Sequence, residues 1–322
     1  MDKVAEWKDR FISLYISDEP GDYENAFDLK QQKMPQRLYR YRSIKNGIDF
    51  ARLVKAMRDG QIYCAHRNTL NDPFEMRSPL SSKSVSSYFG NVEHLRRVYR
   101  TQLKAHFSDT ELDEALQGED WFKKVSQLIF TGKEGHSGIP ADQVLDKVIM
   151  LELEKLKASY ESLFDMIKIA SFSENCTSLS MWAHYADNHC GVCLAFDVDK
   201  LNESVRKDIF PVTYVEELPD VLKFTFEKLQ LRGRLPSWLV PYHCIHKLNH
   251  WGYEQEWRYL SQGESDAIGK GIETSFIKPS KIMFGSNVAE DIKNELCKVA
   301  HKEGIAVAQM RVTPYGLEED CV

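Results

Sequence analysis

No run of apolar residues in this 322-residue chain approaches the roughly 20 that a membrane-spanning helix needs. Nor does the chain open on an apolar leader, since its first stretch, MDKVAEWKDRFISL, is studded with charge. A cytoplasmic protein with no membrane association is expected. Positive charge is not in excess either. A formal net charge of −6 argues against a chain that holds nucleic acid by overall electrostatics. Arg96, Arg97, Arg100 and Lys104 form a local basic row at helical spacing, for which a solvated helix face is the simpler account.

The seven cysteines are too few and too scattered for a disulfide framework, and their number is odd. Free thiols are expected. Cys190 and Cys193 have CxxC spacing, but on the strand read there the odd offset sends the two sulfurs to opposite faces. No second CxxC completes a zinc site, so no metal is expected. Internal repeats and low-complexity linkers are also missing, which leaves one α+β domain over 1–322.

What is present is the material of a core: 43% hydrophobic residues and 11% aromatics. Arg37–Arg42 alternates as a strand, with Leu38, Arg40 and Arg42 on one face and Tyr39 and Tyr41 on the other. A helix from about 47 to 58 follows, closed at Asp59-Gly60, then a strand at 61–65 and the turn signal Asn71-Asp72-Pro73. Helical periodicity dominates 85–167, with a long amphipathic segment at 144–157. This predicts a helical insert at about 83–168. Strands return at 168–173, 191–197 and 210–214, helices at about 219–231 and 242–250, and strands near 272–277, 281–285 and 305–312 around a helix at 287–302. The core is expected to be a mixed or antiparallel sheet.

The run Trp251-Gly-Tyr-Glu-Gln-Glu-Trp-Arg-Tyr-Leu260 sets two carboxylates and an arginine at alternate positions among aromatics. Read as a strand, it places Glu254, Glu256 and Arg258 on one face. Read as a helix, it separates the carboxylates by about 200°. With the earlier segments, the chain offers Arg40 and Arg42 on a first strand, Asn71 and Asp72 in a turn, Ser171 and Ser173 on a middle strand, Trp182 and Tyr185 beyond it, and Glu254 and Glu256 late. Each has a plain structural reading: surface arginines, strand-edge hydroxyls, a core tryptophan, acids paired across strands.

The words LYRYR, IYCAHRNTLNDPFE, MWAHYADNHCGVCLAF, PVTY and WGYEQEWRYL resemble a bacterial family of uncharacterised proteins, the domain of unknown function 2971. More remotely, the order of an arginine strand, a serine strand and a late Glu-x-Glu is similar to that of the ADP-ribosyltransferase superfamily. That likeness implies a split sheet, NAD as a substrate, and a macromolecular acceptor, protein or nucleic acid, in a toxin or antiphage defence setting. Glu256 would stabilise the ribosyl oxocarbenium ion and hold the ribose 2′-hydroxyl. Glu254 would act on the acceptor nucleophile, and Arg40 or Arg42 would bind pyrophosphate or ribose. Ser171 and Ser173 are the corresponding hydroxyls, Trp182 or Tyr185 would stack on a ring, and Asn71 and Asp72 would order a loop over the site. Two other readings stand beside it: a nuclease or phosphoesterase with Mg²⁺ held by Asp72, Glu75, Glu254 and Glu256, and a sensor or binding protein without catalysis. The sequence leaves open whether the insert is a lid, a partner surface or a dimer interface.

Overall fold

The computed structural model describes residues 3–76, 92–118, 120–131, 154–155, 158, 161–221, 224, 236–263 and 269–321. The chain is α+β. Its strands are β1 (Arg37–Arg42), β2 (Gln61–His66), β3 (Ile167–Ser173), β4 (Val192–Asp197), β5 (Ile209–Pro211), β6 (Thr213–Val215), β7 (His246–Leu248), β8 (Glu256–Gln262), β9 (Ile272–Ser275), β10 (Lys281–Phe284), β11 (Ala306–Thr313) and β12 (Gly316–Cys321). Ten of them form one mixed sheet in the order β12-β11-β10-β4-β1-β3-β2-β9, with β8 also on β3 and β5 on β8. The pairings are antiparallel except β10 with β11, while β6 and β7 make a separate parallel pair.

Local chemistry explains the boundaries. The helix Gly47–Asp59 starts where the Asn46 side chain accepts from the amides of Ile48 and Asp49. It stops at Gly60, whose φ of 62° is left-handed and whose missing Cβ leaves room for the backbone of Ile277 at 3.2 Å. β4 is buried along nearly all its length, as a strand covered on both faces must be. Its Val192, Leu194 and Phe196 enter one apolar cluster with Leu38, Phe172, Trp257, Ile282 and Phe284. That face is covered by helix Gly47–Asp59 and helix Glu290–Glu303, through Leu53, Met57, Leu296 and Ala300. Cys193 and Ala195 point the other way, into a cluster with Tyr41, Met181, Trp182, Met283 and Met310. Burying Phe196 completely is worth about 1.5–3 kcal/mol. β4 thus anchors both layers.

Between helix Leu179–Tyr185 and β4 the chain turns through Asp187, Asn188 and His189, all left-handed with φ of 50°, 52° and 67°. The turn is fixed by backbone bonds. The Gly191 amide donates to Ala186 at 2.8 Å, and the Asn287 amide donates to His189 at 3.0 Å.

By contacts the chain divides into two compact units, residues 1–76, 164–218 and 240–322 in one, and 77–163 with 219–239 in the other. The first holds the sheet. In the second, three described helices, Val92–Leu103, Asp109–Ala115 and Trp121–Thr131, fall within the expected insert. Ser108 and Glu111 cap the middle one reciprocally, and Tyr99 meets Trp121 and Phe122 edge-on. Arg96 pairs with Glu93, and Arg100 with Asp113 at 2.7 Å, as a solvated helix face requires. Most of the amphipathic segment at 144–157 and of the helix expected at 219–231 lies outside the described residues. Among the described residues no helix is long and apolar enough to cross a membrane.

Candidate active site

The stretch 246–262 is not one helix followed by one strand. β7 ends at Leu248, residues Asn249–Glu254 form a 3-10 turn, Gln255 is left-handed with φ of 44°, and β8 starts at Glu256. The helix expected at 242–250 is corrected to a helix at Leu239–Cys244 and the strand β7. The strand expected through Glu254 is corrected too. Its first residues are pinned in the turn, because the Ser173 hydroxyl donates to the Glu254 carbonyl at 2.7 Å and the Glu256 amide donates to the Tyr214 hydroxyl at 2.9 Å.

The two carboxylates still meet, through the turn rather than through strand alternation. Lys247 on β7 donates to Glu254 at 2.7 Å and to Glu256 at 3.2 Å. Arg258 is on the same face of β8 as Glu256 and binds it through Nε at 2.9 Å. It also pairs with Glu75 from the Asn71-Asp72-Pro73 turn and donates to the Cys244 carbonyl. The Tyr185 hydroxyl donates to Glu254 and accepts from Asn71 at 2.6 Å. Three carboxylates, Glu75, Glu254 and Glu256, thus face two cations in a nearly dry cluster.

Burial sets the protonation behaviour. It pushes the Glu256 carboxyl up to about 7, with Lys247 opposing and Glu254 adding to the rise, while a hydrogen bond from Ser171 favours the anion. For Lys247, burial disfavours the charge, but Glu256 and Glu254 outweigh it and the ammonium is held above its ordinary range. Burial also raises the Tyr185 phenol, reinforced by Glu254. Burial thus brings the proton exchange of Glu256 toward neutrality.

β3 organises the approach. Ser173 lies opposite Glu256 on β8 and opposite Tyr39 on β1, and Ser171 lies opposite Arg258. Tyr39–Ser173 is the one register pair between β1 and β3; β2 joins β3 further along, at Ile169 and Lys168. A cavity of about 240 Å³ opens in this gap, walled by Ser171, Ser173, Tyr185, Lys247, Glu254 and Glu256, with Asn71 and Glu75 at the turn.

The arginines of β1 stand differently from the expectation. Directly paired residues share a face, so Tyr39 joins Ser173 and Glu256 while Arg40 and Arg42 fall on the opposite face. Arg40 lies 5.6 Å over the Phe172 ring and donates to the Tyr63 carbonyl, a tie to β2. Both arginines border the cavity along β1. Arg42 is half-buried, and neither arginine makes a salt bridge among the described residues.

Trp182 and Asp72 are not brought to the cavity. Trp182 is fully buried, donates to the Cys176 carbonyl at 2.8 Å and stands edge-on to Tyr41. It is a core residue. Asp72 accepts from the Phe74 amide at 2.9 Å and shapes the turn. Lys247, Tyr214 and Tyr39 are the residues that sequence reasoning missed. Lys247 carries no local signal, because only the 3-10 turn folds it back onto acids seven and nine positions later. Cys190 is exposed in the turn and Cys193 buried on β4. Among the described residues no group of three or more His, Cys, Asp or Glu is placed to hold a metal ion.

The geometry has one point of comparison. Residues 181–259 match DUF2971, described as a protein of unknown function. The DUF2971 stretch carries Tyr185, Lys247, Glu254, Glu256 and Arg258, the acid and lysine side of the cavity. Asn71, Ser171, Ser173 and the β1 arginines precede it. No curated protein and no solved structure matches the chain.

Proposed function

We propose that the cavity cleaves or transfers an N-glycosidic bond, with NAD as the donor, as an ADP-ribosyltransferase or an NAD glycohydrolase acting in defence or as a toxin. The observation that carries this reading is the placement of Glu256: a buried carboxyl whose proton affinity burial pushes up to about 7, set beside Glu254, with Ser171 and Ser173, in the wall of a cavity. Departure of nicotinamide leaves positive charge on the ribosyl carbon. A carboxylate beside it lowers the barrier, and a second carboxylate handles the acceptor proton. Glu256 takes the first role and Glu254 the second. At about 240 Å³ the cavity is below the range for drug-sized ligands, so it takes the nicotinamide riboside end and leaves the rest of the dinucleotide outside, along Arg42.

The Mg²⁺ reading loses its support, because Lys247 and Arg258 occupy the space between the carboxylates that a cation would need. The binding-protein reading keeps one: every carboxylate of the cluster already has an ion-pair partner. Incubating the protein with NAD and measuring free nicotinamide decides between them. Release that is lost in Glu256→Gln supports the enzyme. Saturable NAD binding without release supports the binding protein.

A further inference from the structure

A second cavity, about 950 Å³ in volume, shares Tyr39 with the first and lies along the start of β1, the loop 34–36 and the helix Glu203–Lys207. Some of its charge is already paired. Arg37 binds Asp197 at 3.0 Å, and Asp197 also accepts from Lys200 and Ser280. The rest is not. Glu174 accepts from the Trp257 indole at 2.6 Å and lies in the field of the Lys8 ammonium, which itself donates to the Val212 carbonyl; neither Glu174 nor Asp199 forms a salt bridge among the described residues. The Nε of Arg206 is buried and has no hydrogen-bond partner. Gln31 and Gln36 add two amides to the lining.

A ligand that fits this set supplies cationic groups for Glu174 and Asp199, a carbonyl acceptor for Arg206, and groups that pair with amides. Nucleic acid brings phosphates toward two carboxylates that form no salt bridge among the described residues, on a chain of net charge −6, which is unfavourable. A peptide main chain with basic side chains meets every requirement. The site also leads to the chemistry: the Glu174 amide donates to the Gln255 carbonyl at 3.1 Å, in the link between Glu254 and Glu256. We infer that this groove docks a basic peptide segment of the macromolecular acceptor. Its role as an acceptor site rests on the glycosyl-transfer reading, but the binding itself needs no NAD.

The test uses the full-length protein and fluorescence anisotropy, with a labelled Gly/Ser octapeptide carrying three arginines as the probe. The same peptide with three glutamates and a single-stranded oligonucleotide serve as comparisons. The arginine peptide should bind more tightly than the glutamate peptide by roughly tenfold or more. The double variant Glu174→Gln/Asp199→Asn should weaken it several-fold. Failure of the arginine peptide to bind, equal binding of the two peptides, tighter binding of the oligonucleotide, or indifference to these substitutions overturns the proposal. Peptide binding without NAD turnover would instead leave the groove standing and remove the proposed reaction.

Discussion

The ammonium of Lys247 lies 2.7 Å from a Glu254 oxygen and 3.2 Å from a Glu256 oxygen, with all three side chains buried. Removing one partner of such a group leaves charge stranded in a medium that solvates it poorly. Lys247→Met should therefore lower unfolding free energy by about 3–5 kcal/mol in urea titration. Adding Glu254→Gln should restore part of the loss, and additive effects in that cycle would show that the bridge is not coupled.

Glu256→Gln tests the chemistry with less damage to the fold. The amide keeps an acceptor for Arg258, and Glu75 and Glu254 still balance the two cations. Nicotinamide release should fall by roughly 100-fold or more, with a melting temperature near that of the wild type. Undiminished release in a folded variant would remove Glu256 from the reaction.

The raised pKa of Glu256 has a sign in stability. Its carboxyl moves from an ordinary 4.5 to about 7 in the folded chain, so folding favours the proton. That contribution is complete below about 4.5 and is lost as pH rises through about 7, by an amount on the order of 3 kcal/mol. Urea midpoints should decline between pH 5 and pH 8, and Glu256→Gln should flatten the decline. If the ionised carboxylate acts in catalysis, turnover should rise over the same interval.

Gly191 offers a test through the backbone alone. A Cβ there would come within 2.2 Å of the Arg42 carbonyl and 3.0 Å of the Ala186 carbonyl. Gly191→Ala should cost about 1–3 kcal/mol and displace the β1 segment that borders the cavity. Thermal unfolding measures the first effect and NAD affinity the second.

Much of the sheet was legible in the sequence, because its strands are short, alternating and bounded by turn residues. β1, β2, β3 and β4 fall within a residue of the expected ends, and the helix Gly47–Asp59 was marked by its glycine. The strand expected at 210–214 is two strands, since Val212 breaks the ladder to donate to the Glu256 carbonyl and to accept from Lys8. β12, GLEEDC, was missed because its acids look like coil; they are solvent-facing and pair with Lys281 on β10 and Arg311 on β11.

The site was legible as a set of residues but not as an arrangement. Period-two alternation gave the shared face of Glu256 and Arg258, and it also put Arg40 with Arg42. It did not give the register between strands, which decides that Tyr39 rather than Arg40 stands beside Ser173. Register depends on contacts across more than a hundred residues. Lys247 was hidden for a local reason, since it reaches the acids only through the 3-10 turn Asn249–Glu254 and the left-handed bend at Gln255.

Asp187, Asn188 and His189 wind against the hand of the rest of the backbone. Each such residue without glycine sits in an unfavourable basin, and only the bonds on either side keep it there. One of those bonds reaches Asn287, just past β10, while β4 itself pairs with β1 and β10. Sequence drift in this segment is therefore filtered by backbone shape more than by side-chain chemistry. Glycine and asparagine will pass at Asp187 and Asn188, and β-branched residues will be rejected, while His189 is held in addition by its stack on Trp182.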